Sequence, residues 1–388
     1  MAKPPIRVLM RQPTLAQYRL PILQDLAARP GMELRLLYGS NASIPNIDPV
    51  GLDARSSELE VRRMPLLGEW YRDPELKSEA ASFRPDVVVS WWNVRQGDLS
   101  SMMRWARREN IGTVLWGHGY SKNEAVWRRF LRDRLARSAD AVVTYNRRAA
   151  EQITARGVAA DKVFVAPNAL DQTANAQSLA YWRANPSELE VFRRAAGIGP
   201  GPVIGFVSRM DPANRLDLLV SALPKVRQAV EGAQVVIVGK GDEERAKLRA
   251  QAVELGVADA MVFAGPEYDP VKIGGYFNLF DVFCYPSNIG LSILHAFGFG
   301  VPVVTSNDLD AQNPEIEALQ DGVNGLLYAA EDVGALAQSL IRILSDGALK
   351  RDMSKAALFT ARETFAPARM VDGLEAAARF AAGAAKRV

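Results

Sequence analysis

The sequence predicts an α/β protein built from two doubly wound parallel-sheet domains. Short apolar runs rich in β-branched residues, such as Val87–Ser90 and Val203–Val207, are separated by longer amphipathic stretches. Runs without polar alternation are typical of strands that a parallel sheet buries on both faces. The rhythm occurs once in each half of the 388-residue chain, with a Gly/Pro-rich segment at 197–202 between the halves.

In the first half, the strands are each predicted from a short apolar run, and helices lie between them. The predicted strands are Ile6–Met10, Glu33–Tyr38, Val87–Ser90, Thr113–Trp116, Ala141–Thr144 and Val163–Val165. The clearest predicted helices are the amphipathic stretch Tyr18–Ala28 and the arginine-rich stretch Asn123–Arg137.

The second half repeats this alternation and ends in an Ala-rich tail that is predicted to be helical. The predicted strands are Val203–Val207, Val235–Val238, Met261–Ala264, Val282–Tyr285 and Val301–Thr305. The predicted helices are Leu216–Val230, Asp242–Leu255, Val271–Leu279 and Leu291–Phe299. We therefore expect an N-terminal domain at 1–185, a C-terminal domain at 200–365 and a terminal helix at 366–388.

Composition excludes several classes of protein. A hydrophobic fraction of 48% and a charged fraction of 23% exclude long disorder, and the single cysteine, Cys284, excludes an intramolecular disulfide framework. No apolar run approaches the roughly 18 residues of a membrane span, and Met1–Arg7 lacks the apolar core of a signal peptide. We expect neither a secreted nor an integral membrane protein.

The net charge of +3 hides a difference between the two halves. Residues 1–200 hold 29 Lys and Arg against 21 Asp and Glu, whereas residues 201–388 hold 18 against 23. All seven tryptophans also lie in the first 200 residues. The two halves are therefore expected to bind different partners.

Two strand-to-helix turns in the second half have the features of anion sites. Val238 is followed by Gly239, Lys240 and Gly241, and a helix then begins. Such glycines allow a ligand to approach the backbone, although an ordinary tight turn has the same pattern. The second turn is Ser287–Leu291, where helix amides at the end of a strand suit a diphosphate.

Several segments in a fixed order carry a resemblance to a known family. They are Pro167–Asp171, Gly205–Met210, Leu216–Leu219, Ile237–Glu243, Asp281–Val304 and Glu317–Leu327. The set resembles the retaining glycosyltransferases of family 4, which have the GT-B fold. The resemblance spans about residues 140–365 and is weak over the first 110. It implies two Rossmann-like domains facing a cleft, with a C-terminal helix that crosses back onto the N-terminal domain.

The chain departs from this family at its most characteristic positions. The family signature is two glutamates separated by seven residues, one at the donor sugar and one at the ribose, and Ser287 and His295 stand there instead. Neither residue brings a fixed negative charge. Arg209 matches the arginine of the family's diphosphate-binding pair, but Asn214 occupies the lysine position. The adjacent Arg215 either takes over that role or lies on the helix surface.

Two carboxylates near the signature could supply the missing charge. Glu317 stands where the family has its closing glutamate, and Glu315 follows Asn313-Pro314. Either residue replaces the carboxylate at the donor sugar, or both have a capping role after Pro314.

His118 follows a predicted central strand and lies between two glycines. It is interpreted as a substrate-contacting residue, with a structural role as the alternative. In the first strand-to-helix turn, Thr14, Tyr18 and Arg19 either bind acceptor or phosphate, or form a capping turn with an exposed arginine.

The segment 101–150 is strongly basic, with 11 Lys and Arg against 4 Asp and Glu. Its arginines and tryptophans between 104 and 137 predict contact with an anionic membrane or a lipid diphosphate, and two solvated helix faces are the alternative. Nothing in the segment resembles a nucleic-acid-binding module.

The resemblance implies a metal-independent hexosyltransferase that acts with retention. The expected catalytic residues are His118, Arg209, Glu315 and Glu317. The expected donor-binding residues are Arg209, Arg215, Gly239, Gly241, Ser287, Asn288, Ile289, Gly290, Leu291 and His295. A UDP- or GDP-sugar is the expected donor, and a saccharide or polyprenyl-diphosphate-linked saccharide is the expected acceptor.

We expect a role in bacterial surface polysaccharide or glycolipid synthesis, in the cytoplasm or at the inner face of the plasma membrane. Two alternatives remain open. One is another GT-B enzyme, a sugar-nucleotide epimerase or phosphorylase. The other is a catalytically silent GT-B scaffold.

Overall fold

The computed structural model describes residues 4–39, 45–64, 68–122 and 124–385. They form two compact units. Unit 1 comprises the described residues of 1–168 and 367–388, and unit 2 comprises 169–366. Each unit contains a doubly wound parallel sheet, which confirms the predicted fold class.

The strands, numbered along the chain, are β1 (Ile6–Gln12), β2 (Met32–Tyr38), β3 (Asp53–Ser56), β4 (Glu60–Met64), β5 (Gly68–Arg72), β6 (Val87–Trp91), β7 (Gly112–Gly117), β8 (Ala141–Thr144), β9 (Val163–Val165), β10 (Val203–Val207), β11 (Gln234–Val238), β12 (Met261–Gly265), β13 (Val282–Cys284), β14 (Val303–Ser306) and β15 (Gly325–Tyr328).

The α-helices are α1 (Leu20–Ala27), α2 (Leu76–Phe83), α3 (Leu99–Arg108), α4 (Val126–Ser138), α5 (Arg147–Ala155), α6 (Thr173–Ala184), α7 (Pro186–Ala195), α8 (Leu216–Ala229), α9 (Asp242–Glu254), α10 (Pro270–Leu279), α11 (Ser292–Gly298), α12 (Val333–Ser345), α13 (Gly347–Phe359) and α14 (Pro367–Ala385). The predicted start of the arginine-rich helix, Asn123, lies outside the described residues.

Unit 1 has a seven-stranded sheet in the order β3-β2-β1-β6-β7-β8-β9, and all of its pairs are parallel. The C-terminal helix α14 packs on this sheet because two glycines allow a close approach. A Cβ on Gly112 would lie 2.5 Å from the carbonyl oxygen of Ala381, and one on Gly373 would lie 2.3 Å from that of Val165. Residues 367–385 therefore belong to the N-terminal unit.

Unit 2 has a six-stranded parallel sheet in the order β12-β11-β10-β13-β14-β15. It begins at Ala169, earlier in the chain than the predicted domain boundary at 185. Helix α6 packs on α10, where the Trp182 indole donates a 2.7 Å hydrogen bond to the carbonyl oxygen of Val271. Trp182 is thus the one tryptophan in unit 2, since the other six precede residue 169.

The strands that were not predicted from the sequence lie at sheet edges or outside the main sheets. β3 and β15 are edge strands, and β4 and β5 form a separate antiparallel hairpin. Edge strands need no continuous apolar run because one side faces solvent, and the sequence of β3, Asp-Ala-Arg-Ser, has none.

Each sheet reverses its strand order at one position. In unit 1 the reversal lies between β1 and β6, and in unit 2 between β10 and β13. Loops at the carboxyl ends of strands beside such a reversal form the usual ligand site of an open α/β sheet. The division also increases the charge asymmetry, because the sequence ranges 1–168 and 367–388 hold 30 Lys and Arg against 20 Asp and Glu, and the range 169–366 holds 17 against 24.

Candidate functional site

The loops after β10 and β13 flank the reversal point in unit 2, and Asn214 joins them. The Asn214 side chain is buried and donates a 2.8 Å hydrogen bond to the carbonyl oxygen of Arg209. Its Oδ1 accepts a 3.2 Å bond from Nδ2 of Asn288, and its carbonyl oxygen accepts one from the Ser287 amide. Asn214, at the family's lysine position, is therefore a strut, which here means a buried side chain that links two loops by hydrogen bonds.

Two side chains from a neighbouring segment form hydrogen bonds with the backbone of the loop 287–291. Gln312 is fully buried and accepts a 2.8 Å hydrogen bond from the Ile289 amide, while Nδ2 of Asn313 donates to the carbonyl oxygen of Asn288. The amides of Gly290 and Leu291 donate to no residue within the described chain. Helix α11 starts directly afterwards at Ser292, so these amides can bind an anion.

Arg209 and Arg215 differ in how their charges are compensated. The Arg209 side chain is exposed, and its guanidinium forms no hydrogen bond or ion pair with any residue that the structure describes. Arg215 binds both oxygens of Asp217, at 3.0 and 2.9 Å, and also Glu331. These hydrogen bonds raise the pKa of Arg215. Its charge is thus already neutralised, whereas that of Arg209 remains available.

The glycines at 239 and 241 allow two loops to pack against each other. A Cβ on Gly239 would lie 1.8 Å from the carbonyl oxygen of Ser208, and one on Gly241 would lie 2.7 Å from that of Met210. Both glycines also have φ values, +155° and +140°, that other residues rarely adopt. The space left by the missing side chains is therefore filled by the backbone of residues 208–210.

The two residues at the glutamate positions have different surroundings. Ser287 is half-buried, and its hydroxyl forms no hydrogen bond with the described residues. The ring of His295 lies 3.4 Å from Nδ2 of Asn175, on α6, and 6.5 Å from the ring of Phe277, on α10. Burial lowers the pKa of His295 to about 4, so the ring is neutral at pH 7. Its side-chain contacts are with two packing helices rather than with the loop 287–291.

Of the two candidate carboxylates, Glu315 lies at the loop. It is buried in the short helical turn Pro314–Ala318, and its Oε2 lies 3.8 Å from the position that a Cβ on Gly290 would occupy. Glu317 is half-buried in the same turn. Within the described chain, no three His, Cys, Asp or Glu side chains are grouped as metal ligands.

His118 lies at the carboxyl edge of the sheet in unit 1, directly after β7. The residue is exposed overall, and its ring meets the Tyr145 ring edge-on with 4.9 Å between the ring centres. Desolvation of the imidazole by the surrounding protein lowers the pKa of His118 to about 4, and the positive charges of Arg19, Arg132 and Lys122 act in the same direction. The imidazole is therefore neutral at pH 7.

Arg19 is not the exposed arginine of a capping turn. It is buried, and its guanidinium lies 5.2, 4.9 and 5.1 Å from the ring centres of Tyr18, Trp116 and Tyr145. Thr14, in the same loop, binds Asn46 at 2.6 Å. No local sequence pattern predicts this aromatic cage, because its members come from three separate segments of the chain.

The basic segment has an exposed apolar cluster at the start of α4. Val126, Trp127 and Phe130 are 71%, 45% and 63% exposed. Arg129 and Arg134, on the same helix, are also exposed. In the residues that the structure describes, no helix has the length and apolar character needed to cross a bilayer.

Two family comparisons cover complementary parts of this architecture. Residues 201–346 match the family described as Glycosyl transferases group 1, and residues 27–173 match Glycosyltransferase Family 4. Both halves of the chain carry glycosyltransferase domains.

Curated relatives agree with these domains over part of their length. A phosphatidyl-myo-inositol mannosyltransferase of Mycobacterium leprae is 36% identical over 155 residues, 39% of this chain and 39% of the relative. A GDP-mannose-dependent alpha-(1-6)-phosphatidylinositol monomannoside mannosyltransferase of Mycobacterium tuberculosis is 31% identical over 175 residues, 42% and 44% of the two chains. The matches thus span about two fifths of these relatives' own length.

Solved structures extend the likeness to the whole fold. Anabaena HepE in complex with UDP superposes with a TM-score of 0.71 at 17% sequence identity, covering 96% of this chain and 98% of HepE. At this identity the likeness establishes the fold, which is GT-B.

Proposed function

We propose that this protein transfers a hexosyl group from a nucleotide-diphosphate sugar to a saccharide or lipid-linked saccharide, with retention of configuration. Unit 2 binds the donor and unit 1 binds the acceptor. The observation that carries the donor assignment is the exposed, uncompensated guanidinium of Arg209, which shares the strut Asn214 with the ordered loop 287–291.

The donor diphosphate is bound by Arg209 and by the amides of Gly290 and Leu291. As the bond between the anomeric carbon and the diphosphate oxygen breaks, these groups stabilise the charge that develops on the leaving group. The acceptor oxygen attacks from the same face, and its proton passes to the leaving diphosphate, so configuration is retained. Arg215 supports the loop through Asp217 and Glu331 rather than binding phosphate.

Glu315 supplies the carboxylate that the Ser287 position lacks. Its proximity to Gly290 supports a location beside the donor sugar, where a negative charge stabilises an oxocarbenium-like transition state. Its burial in a helical turn supports a fixed orientation. Glu317 then has a supporting role.

The donor is a GDP- or UDP-sugar, and binding requires no metal ion. GDP-mannose is the first candidate, because a mannosyltransferase relative is named for it, and UDP is bound in HepE. Calorimetric titration with GDP, UDP and ADP, each with Mg²⁺ or EDTA, tests the proposal. One nucleotide should bind in both buffers. Failure of all three would favour a silent scaffold, and sugar release without an acceptor would favour an epimerase or phosphorylase.

The first candidate for the acceptor is a lipid-linked saccharide that is reached at the inner face of the plasma membrane. Support comes from Val126, Trp127 and Phe130, which form an exposed apolar patch on a helix with exposed arginines. Such a surface suits the interface of an anionic bilayer. We place the reaction in bacterial surface polysaccharide or glycolipid synthesis.

A further inference from the structure

The described chain has three buried arginines, and they are not equivalent. Arg11 forms a 2.7 Å ion pair with Asp73, and Arg132 forms a 2.6 Å ion pair with Glu124. Arg19 is 8% exposed and pairs with no carboxylate in the part of the chain that the structure describes. Burial of a charge is costly unless a counter-charge compensates it. Among the described residues, Arg19 lacks the carboxylate partner that Arg11 and Arg132 have.

The contacts that Arg19 does form leave much of its hydrogen-bonding capacity unused. One terminal nitrogen donates to the sulfur of Met370 at 3.4 Å, and the other donates to the hydroxyl of Tyr145 at 3.1 Å. A guanidinium has five N–H groups in a planar fork that suits an oxyanion. The three surrounding rings stabilise the cation and fix its plane, but they accept no conventional hydrogen bond.

Arg19 also lies where ligands bind in such sheets. It follows β1, which borders the reversal of strand order in unit 1. Tyr145, which it contacts, also meets the ring of His118. The positive charges of Arg19 and Arg132 both reach His118, and only that of Arg132 is paired. The potential at this edge is therefore positive.

We propose that Arg19 is the recognition residue of an oxyanion site in unit 1, whose ligand is a phosphate or carboxylate group on a bound saccharide. The identification of this saccharide as the acceptor rests on the proposed function. On binding, the anionic ligand supplies the counter-charge that the buried guanidinium of Arg19 lacks.

Calorimetry with glucose 6-phosphate, glucuronate and glucose tests the site. All proteins carry Arg209→Ala, which removes the phosphate-binding side chain proposed for unit 2. Glucose 6-phosphate or glucuronate should bind at least about tenfold more tightly than glucose, and Arg19→Met should abolish this preference. The anion that binds better identifies the phosphate or the carboxylate. Arg62→Gln, which removes an exposed arginine from the same unit, should leave the preference unchanged.

Thermal unfolding separates recognition from a structural role. Arg19→Met should unfold at the same or a higher temperature than its parent, because no carboxylate loses its partner. Arg132→Met should unfold at a lower temperature, because Glu124 loses its ion-pair partner. If Arg19→Met is unfolded at the assay temperature, Arg19→Gln serves in the same titration. The proposal is overturned if the Arg19 variant keeps the anion preference, or if the Arg209→Ala parent has none. GDP and UDP titrations of Arg19→Met alone report separately on the donor site.

Discussion

Nδ2 of Asn214 lies 2.8 Å from the carbonyl oxygen of Arg209, while Oδ1 of the same side chain accepts a hydrogen bond from Asn288. The buried amide thus orders the arginine loop and the loop 287–291 together. Asn214→Ala should destabilise the protein by about 1–3 kcal/mol, because it removes two hydrogen bonds made by a buried side chain. It should also weaken binding of the preferred nucleotide diphosphate about tenfold.

Asn278→Ala is the matched control for this prediction. Asn278 also donates one hydrogen bond from a partly buried side chain of unit 2, to the carbonyl oxygen of Gly274. It should lose stability in denaturant titration but keep nucleotide affinity. Equal affinity losses in both variants would contradict a specific role for Asn214.

Arg209→Ala and Arg215→Ala should have unequal effects on turnover. Arg209→Ala should lower kcat/KM by about 10²-fold or more, since an uncompensated donor at the leaving group is lost. Arg215→Ala should cost about tenfold or less, because Asp217 and Glu331 already neutralise its charge. Steady-state kinetics with the donor found by calorimetry measures both, and the reverse order would show that Arg215 is the phosphate ligand.

The sequence predicted the central strands because their apolar runs report burial on both faces, as in β6 and β10. It did not predict β3, whose charged residues form an edge, or the domain boundary, which depends on packing of α6 against α10. Local pattern carries no information on such long-range contacts.

The features of the candidate site also divide into those that the sequence predicts and those that depend on long-range contacts. Family spacing located the loop 287–291, but not the strut role of Asn214, the neutralisation of Arg215 or the enclosure of Arg19 by aromatic rings. Each of these depends on side chains that meet only after folding. The glycines at 239 and 241 were located correctly in a turn, but the backbone that they approach belongs to the protein itself.

Glu315→Gln should separate catalysis from binding. The change keeps the shape of a buried side chain and removes its charge, so kcat should fall about 10²-fold while nucleotide affinity stays within about threefold. Glu317→Gln is the matched control in the same helical turn and should change kcat by less than about tenfold. If Glu317→Gln has the larger effect, the assignment of the carboxylate moves to Glu317.

Stability should fall as the solution is acidified from pH 7.5 to 5. The pKa of His295 is about 4 in the folded chain and about 6.5 when unfolded, so the unfolded state binds the proton first. The stabilising contribution is therefore complete above about pH 6.5 and declines towards pH 4. One such histidine accounts for roughly 2 kcal/mol over the measured range.

Denaturant titrations of wild-type protein and His295→Gln across this range measure the histidine-linked loss. The variant should have a flatter profile, since the chain has only two histidines. His118→Gln should flatten it less, because His118 is an exposed residue and solvent screens the effects that lower its pKa. Identical profiles for wild type and His295→Gln would contradict the burial argument.

The apolar patch on α4 should determine membrane affinity. Replacing Trp127 and Phe130 together by serine removes two large exposed apolar side chains, so binding to anionic vesicles should weaken at least about tenfold. Arg129→Gln with Arg134→Gln should weaken binding at low salt and have less effect at high salt, because surface charges are screened.

Val191→Ser with Val253→Ser, two exposed apolar positions in unit 2, is the control and should bind like wild type. Vesicle sedimentation measures all four proteins, and wild-type binding that is indifferent to anionic lipid would exclude this surface as an electrostatic membrane contact.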